Sequence, residues 1–150
     1  MRSTTFWDRK FFACSTPTIK DVSRIEKGFN SGDQRYYHVP CQHCGHKQKL
    51  VWENLDFSNE GTLDDPVYRC CECGGLHKEH HKQKMLAEGE WEATRNFHGI
   101  ASFHISALYS PWKSWGSVAV DFIRAKKGFA SALERAASQK LTGAHTHAFP

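Results

Sequence analysis

Residues 39–54 read VPCQHCGHKQKLVWEN, a Cys-x-x-Cys-Gly turn set between two apolar and aromatic stretches. Its counterpart is VYRCCECGG at residues 67–75. Cys41 and Cys44 in the first stretch and Cys70 and Cys73 in the second give four thiols in two matched pairs. Each Cys-x-x-Cys turn presents two sulfurs to one point, so two such turns can close a tetrahedron around a metal ion. Gly45 and Gly74 follow the pairs and suit turns in which backbone N–H groups approach the sulfurs. Strand-like segments at Arg35–Val39, Gln48–Trp52 and Val67–Arg69 border the turns and complete a four-cysteine zinc-ribbon pattern.

Four protein ligands leave no coordination position open, so the expected zinc is structural rather than catalytic. Such an ion contributes on the order of 10–16 kcal/mol to folding a module too small for its own core. Iron in a rubredoxin-like site is the alternative metal. Cys71 is a spare, because one residue between it and Cys73 is poor ligand spacing. His43 and His46 read as exposed neighbours, and His80 and His81 as the solvated face of a polar helix. Cys14 reads as a small core residue in a strand over residues 10–14, and His145 and His147 as a His-x-His in a terminal tail.

Outward from the cysteines, Thr18 with Asp21 marks a helix start, Val22, Ile25 and Phe29 recur at helical spacing, and Gly32 offers a stop. Residues 56–66 are polar and turn-rich, and residues 78–88 favour a helix ended by Gly89. Ala101, Phe103, Ile105 and Ala107 alternate with Ser102, His104 and Ser106, which predicts a strand over 99–107 with the apolar set inward. Pro111 breaks that strand and Ser114 is suited to cap a helix. Trp115, Val118, Ala119, Phe122 and Ile123 form one apolar helical face. Gly128 is expected to separate this helix from a second built on Leu133, Ala136, Ala137 and Leu141. The resulting fold class is α+β: a four-cysteine zinc ribbon at 35–90 between incomplete α/β segments at 1–34 and 91–150.

A chain of 150 residues suits one domain and buries roughly 70% of its surface on folding. The formal charge of +4 permits contact with nucleic acid without requiring it, because cations and acids are interleaved. No apolar run approaches the roughly 20 residues that span a bilayer, and the N-terminus lacks a signal-peptide core. A cytoplasmic location with reduced or metal-bound cysteines is expected. The sequence has no G-x-x-x-x-G-K-[ST] phosphate loop, no H-E-x-x-H helix, no G-x-S-x-G elbow and no cluster of acids for two-metal nuclease chemistry.

Several pieces in order resemble one family: TTFWDRK, CSTPTIKDVSRIE, DQRYYHVPCQHCGHKQKLVWENL, VYRCCECG, MLAEGEW and HGIASFHISALYSPWKSW. Together they resemble the large terminase subunit of lambda-type tailed bacteriophages, the GpA-like DNA-packaging motor, from about residue 3 to about residue 141. That subunit joins an N-terminal ATPase to a C-terminal metal-dependent nuclease. The resemblance implies the end of the ATPase domain at 1–34, the ribbon at 35–90, and the approach to the nuclease at 91–150. It implies that Ser15, Thr16, Pro17 and Thr18 form the motif coupling nucleotide state to DNA movement. It also implies ATP and Mg2+ in the full-length protein, and as partners double-stranded DNA, the small terminase subunit and the prohead portal, in the host bacterial cytoplasm. Gln42 stands where the family usually has proline, and TGAHTHAFP after Leu141 departs from the family. The expectation is therefore a truncated prophage subunit, inactive alone because it lacks the Walker and nuclease residues. The alternative is a stand-alone zinc-ribbon module that binds nucleic acid or a packaging partner, with Lys47, Lys49, Arg69, Lys78 and Lys82 touching phosphates.

Overall fold

The computed structural model describes residues 7, 10–16 and 22–142, with side chains described as far as residue 128. The chain forms two compact units, one from residues 1–37 and 90–105 and the other from residues 38–89 and 106–150. None of the described helices is long and apolar enough to cross a membrane.

In the first unit, α1 (Arg24–Ser31) ends at Gly32, whose N–H returns to Phe29 O. Thr18 and Asp21, the expected helix start, lie outside the described residues; the helix begins after Ser23, and Val22 lies before it and is exposed. The first half of β1 (Arg35–Pro40) pairs in parallel with β7 (Phe103–His104), Arg35 opposite Phe103 and Tyr36 opposite His104, and β6 (Glu90–Ala93) also lies beside β1. Asp33 is fully buried at the centre of this unit and accepts hydrogen bonds from Arg35 Nε at 2.7 Å and from Ser102 N–H at 3.0 Å. The hydrogen bond from the Arg35 guanidinium holds the Asp33 carboxyl below its ordinary range.

Two expectations fail here. Residues 10–16 form no strand and Cys14 is exposed, because no described strand offers that backbone a ladder of partners. The strand expected over 99–107 shortens to Phe103–His104, and the expected apolar face is not inward: Ser102 is buried while Phe103, His104 and Ile105 are exposed. Ser102 is drawn inward by hydrogen bonding, since its Oγ donates to Phe29 O and accepts from Gln34 N–H while its N–H serves Asp33. A seryl group that meets three hydrogen-bond partners, one of them the fully buried Asp33 carboxylate, outweighs the burial of one aromatic ring.

In the second unit, the other half of β1 pairs antiparallel with β2 (Lys47–Lys49), Val39 opposite Gln48. A 3-10 turn at Trp52–Asn54 leads into β3 (Leu55–Asp56), which pairs with β4 (Val67–Arg69), which pairs with β5 (Leu76–His77). α2 (Glu79–Ala87) follows, and after the excursion through the first unit come a 3-10 turn at Ala107–Tyr109 and α3 (Trp115–Thr142). The core is Val39, Leu50, Leu55, Val67, Tyr68, Met85, Leu108, Tyr109, Trp115, Val118 and Ala119. Tyr109 Oη accepts the Leu50 N–H at 2.6 Å, and burial pushes its own pKa up to about 12. Ser114 caps α3 as its type suggests, Oγ accepting from Ser117 N–H at 3.1 Å. Gly128 does not divide α3, which runs unbroken over 28 residues. One glycine costs a helix interior about 1 kcal/mol and does not by itself break it.

Candidate metal centre

The two cysteine turns are built alike. In each, the N–H of the first cysteine bonds the carbonyl five residues on, Cys41 to His46 O and Cys70 to Gly75 O. The glycine four residues on returns its N–H to the cysteine carbonyl, Gly45 to Cys41 O and Gly74 to Cys70 O. That closure needs a positive φ, +76° at Gly45 and +69° at Gly74, which glycine adopts without steric cost. Backbone N–H groups then point at sulfur: His43 at Cys41 Sγ at 3.3 Å, Glu72 at Cys70 Sγ at 3.4 Å and Gly75 at Cys73 Sγ at 3.4 Å.

The turns also lock each other. One residue after Cys41, Gln42 N–H donates to His77 Nε2 at 3.1 Å, and His77 lies seven residues after Cys70. One residue after Cys70, Cys71 N–H donates to Gln48 Oε1 at 3.0 Å, and Gln48 lies seven residues after Cys41. This is a pseudo-two-fold exchange, each hairpin sending its seventh residue to the other's turn. His77 is fully buried, and its Nδ1 lies 3.2 Å from Tyr68 O, which makes Nδ1 the protonated nitrogen while Nε2 accepts. Burial holds His77 below its ordinary pKa, consistent with that neutral form. His43 lies over Gly75, where a Cβ would come 2.6 Å from the imidazole, and its Nε2 bonds Leu76 O at 3.0 Å.

All four sulfurs of Cys41, Cys44, Cys70 and Cys73 lie within 4.8 Å of one another, with Cys41–Cys73 at 3.7 Å and Cys44–Cys70 at 3.9 Å. Four sulfurs about 2.3 Å from a shared ion stand about 3.8 Å apart, so the cluster fits a tetrahedral ion. Electrostatics agree. At Cys70, burial opposes ionisation, but the N–H groups of Cys73 and Glu72 and the neighbouring thiols bring its pKa down to about 7. At Cys44 the His46 backbone favours the thiolate, yet burial and the other three sulfurs push it up to about 12. The surroundings thus favour the thiolate at Cys70 and oppose it at Cys44, where a bound cation would offset the crowding of sulfurs.

Cys71 is exposed and outside the cluster. Ser15 and Thr16 are exposed in an irregular segment, while Pro17 and Thr18, like His145 and His147, lie outside the described residues. Lys47 and Lys49 are exposed on β2; Arg69 and Lys78 are exposed and stand 3.7 Å from Asp56 and 3.4 Å from Asp65. Lys82 is buried and its ammonium is taken up by Glu79 and Lys113 O. His80 is exposed, but His81 is half-buried with Nδ1 accepting from Lys78 N–H, so it serves the start of α2 rather than a solvated face. Gln48 and His77 are additions to the site. Their shared offset from the first cysteine of each pair was the available signal.

Residues 1–91 match the family model described as phage terminase large subunit gpA, ATPase domain. The terminase large subunit of Enterobacteria phage P21 is 29% identical over an alignment of 138 residues, covering 75% of this chain and 21% of that protein. The terminase large subunit of Escherichia phage lambda is 26% identical over 137 residues, with the same coverage of 75% and 21%. The chain thus spans about a fifth of the length of these relatives. No solved structure matches it.

Proposed function

The chain belongs to the phage terminase large subunit family, and from that premise we propose that it acts as the middle section of a DNA-packaging motor, with a four-cysteine zinc ribbon as its internal strut. The observation that carries the strut is the closed sulfur cluster, all four Sγ atoms within 4.8 Å of one another. Zinc held by Cys41, Cys44, Cys70 and Cys73 would have no open position, so it supplies folding energy and no bond-making chemistry. In this reading residues 1–34 close the ATPase portion, with Ser15, Thr16, Pro17 and Thr18 as the coupling motif, and residues 91–150 lead toward the nuclease portion.

ATP, Mg2+, the duplex substrate, the small subunit and the portal belong to the full subunit, working in the host cytoplasm. This chain by itself carries no phosphate loop and no nuclease carboxylate cluster, so it is inactive alone. Lys47, Lys49, Arg69 and Lys78 are the proposed phosphate contacts; Lys82 is withdrawn from that set by its burial. The test is a purified chain assayed for bound zinc, thermal unfolding with and without chelator, and ATP hydrolysis. One zinc per chain, a melting temperature lowered by chelator, and no turnover are expected. Chelator-insensitive melting overturns the strut, and turnover that does not appear in a preparation lacking this chain overturns the assignment of catalysis to other segments.

A further inference from the structure

We propose that Glu79 and Lys82 of α2 are positioning residues that clamp the start of α3 onto the ribbon, so that the closed ribbon sets where α3 begins and which way it leaves. Only the dependence on a closed ribbon rests on the zinc reading above.

The first turn of a helix has N–H groups with no partner inside the helix. In α3, Ser114 satisfies one locally. Another, the Trp115 N–H, donates to Glu79 Oε2 at 2.7 Å, a carboxylate from a different helix. The second carboxylate oxygen, Oε1, receives Lys82 Nζ at 3.2 Å. That ammonium also donates to Lys113 O at 2.6 Å and lies 5.5 Å from the centroid of the Trp115 ring. One acid and one base therefore hold the backbone on both sides of the helix start. The negative end of the pair sits where the helix dipole favours it.

The rest of the socket comes from residues between the cysteine pairs and from Leu108. A Cβ on Gly116 would stand 3.1 Å from the carbonyl oxygens of Leu63 and Asp64, so a larger residue there would have to push α3 and that loop apart by a few tenths of an ångström. The Trp115 ring is 5.7 Å from Tyr68, on the strand that runs into Cys70. Its Nε1–H donates to Leu108 O at 3.0 Å. Apolar packing by Trp115, Val118 and Ala119 would hold a helix here without charges, and the Glu79 side chain is 40% exposed, so solvent screens much of its attraction to Lys82. A lysine only 3% exposed, spent on one carboxylate and one carbonyl, adds direction rather than bulk stability.

The test uses the full 150-residue chain loaded with zinc and followed by amide hydrogen exchange, with bound zinc measured on the same samples. In Glu79→Ala, amides of residues 115–119 should exchange roughly ten-fold faster, the loss expected for a missing cap. Amides of residues 41–48 and 70–77 and the zinc content should not change. Glu79→Gln keeps an acceptor for the Trp115 N–H and should restore most of the protection, while Lys82→Met should give an intermediate increase. Removing zinc from the unaltered chain should expose residues 115–119 together with the hairpins. Unchanged exchange at 115–119 in Glu79→Ala overturns the clamp, as does loss of zinc in that variant, which would make Glu79 a folding residue of the ribbon. Protection at 115–119 that survives zinc removal overturns the dependence on the closed ribbon. A chain that never takes up zinc refutes the strut by the metal assay alone, independently of the Glu79 result.

Discussion

Replacing His77 by leucine tests whether the exchange between hairpins sets metal affinity. His77 is fully buried with both ring nitrogens engaged, Nδ1 donating to Tyr68 O and Nε2 accepting from Gln42 N–H at 3.1 Å. Leucine fills a similar volume and makes neither bond. The Gln42 N–H, next to a ligand cysteine, is left without its acceptor, at a cost of about 1–3 kcal/mol. Hairpin docking and metal binding are one process when the site is absent from the unfolded chain, so this cost appears in the affinity. Removing such an outer partner costs about 10–100-fold in metal affinity, which converts to about the same energy. Gln48→Leu provides the internal control. It deprives Cys71 N–H of its acceptor in the same way. It also deletes Gln48 Nε2, which is buried with no hydrogen-bond partner among the described residues. The two effects oppose, so the loss should be smaller, roughly 2–10-fold. The assay is zinc competition against a chromophoric chelator, with the Co2+ spectrum reporting tetrahedral thiolate geometry. An affinity loss in Gln48→Leu equal to or above that in His77→Leu, or no loss in either, refutes the reasoning.

Tyr109→Phe leaves the Leu50 N–H without its 2.6 Å partner and should cost about 1–3 kcal/mol, seen as a thermal shift of about 2–4 °C per kcal/mol. Asp56 accepts from the N–H groups of Ser58, Asn59 and Glu60, which hold its pKa at about 2 against an ordinary 3.8. A depressed folded pKa contributes stability above the unfolded value that is lost as pH falls through about 2. Asp56→Asn should therefore be less stable than the parent at pH 7, with the difference shrinking toward pH 2 in denaturant melts. Gly128→Ala lies inside the unbroken α3, where the added Cβ would meet nothing within 4 Å, so helix content by circular dichroism should rise and stability should gain about 0.5–1 kcal/mol. A fall in helix content would mean that α3 divides at that glycine.

What could be read from the sequence is what short-range spacing controls. The four ligands follow from two Cys-x-x-Cys turns, and the turns themselves require the glycines at 45 and 74. β4 lies at Val67–Arg69, the expected residues, and α2 ends just before Gly89. Of the apolar helical face, Trp115, Val118 and Ala119 are buried in the core as their spacing indicates, whereas Ile123 is half-buried and Phe122 is exposed beside Trp52. In each case the deciding neighbours lie within one or two turns of chain, and local propensity and burial agree.

The residues that escaped reading are those whose partners lie far along the chain. The alternation at 101–107 assigns Phe103 inward and Ser102 outward, and each local rule supports it. Asp33 reverses it from 69 positions away: a fully buried carboxylate must be supplied with donors, and the Ser102 N–H is one of them. Once that amide is committed, its side chain points to Phe29 O and Gln34 N–H, and Phe103 turns to the other face, where Arg35 lies 5.3 Å from its ring centroid. Unsatisfied buried polarity costs more than exposing part of one ring, so the hydrogen-bond demand wins. The same competition hides Lys82. A lysine on a short polar helix reads as surface charge until a carboxylate three residues earlier and a carbonyl 31 residues later hold it inside. Both failures follow from one cause: hydropathy predicts which face a side chain prefers, whereas buried polar groups select partners by geometry that sequence spacing does not encode. Asp33→Asn provides a direct contrast, since it weakens the charge-assisted bonds while keeping one acceptor. If hydrogen bonding to Asp33 sets the register of 102–104, that change should loosen exchange protection at Ser102 while leaving the cysteine hairpins untouched.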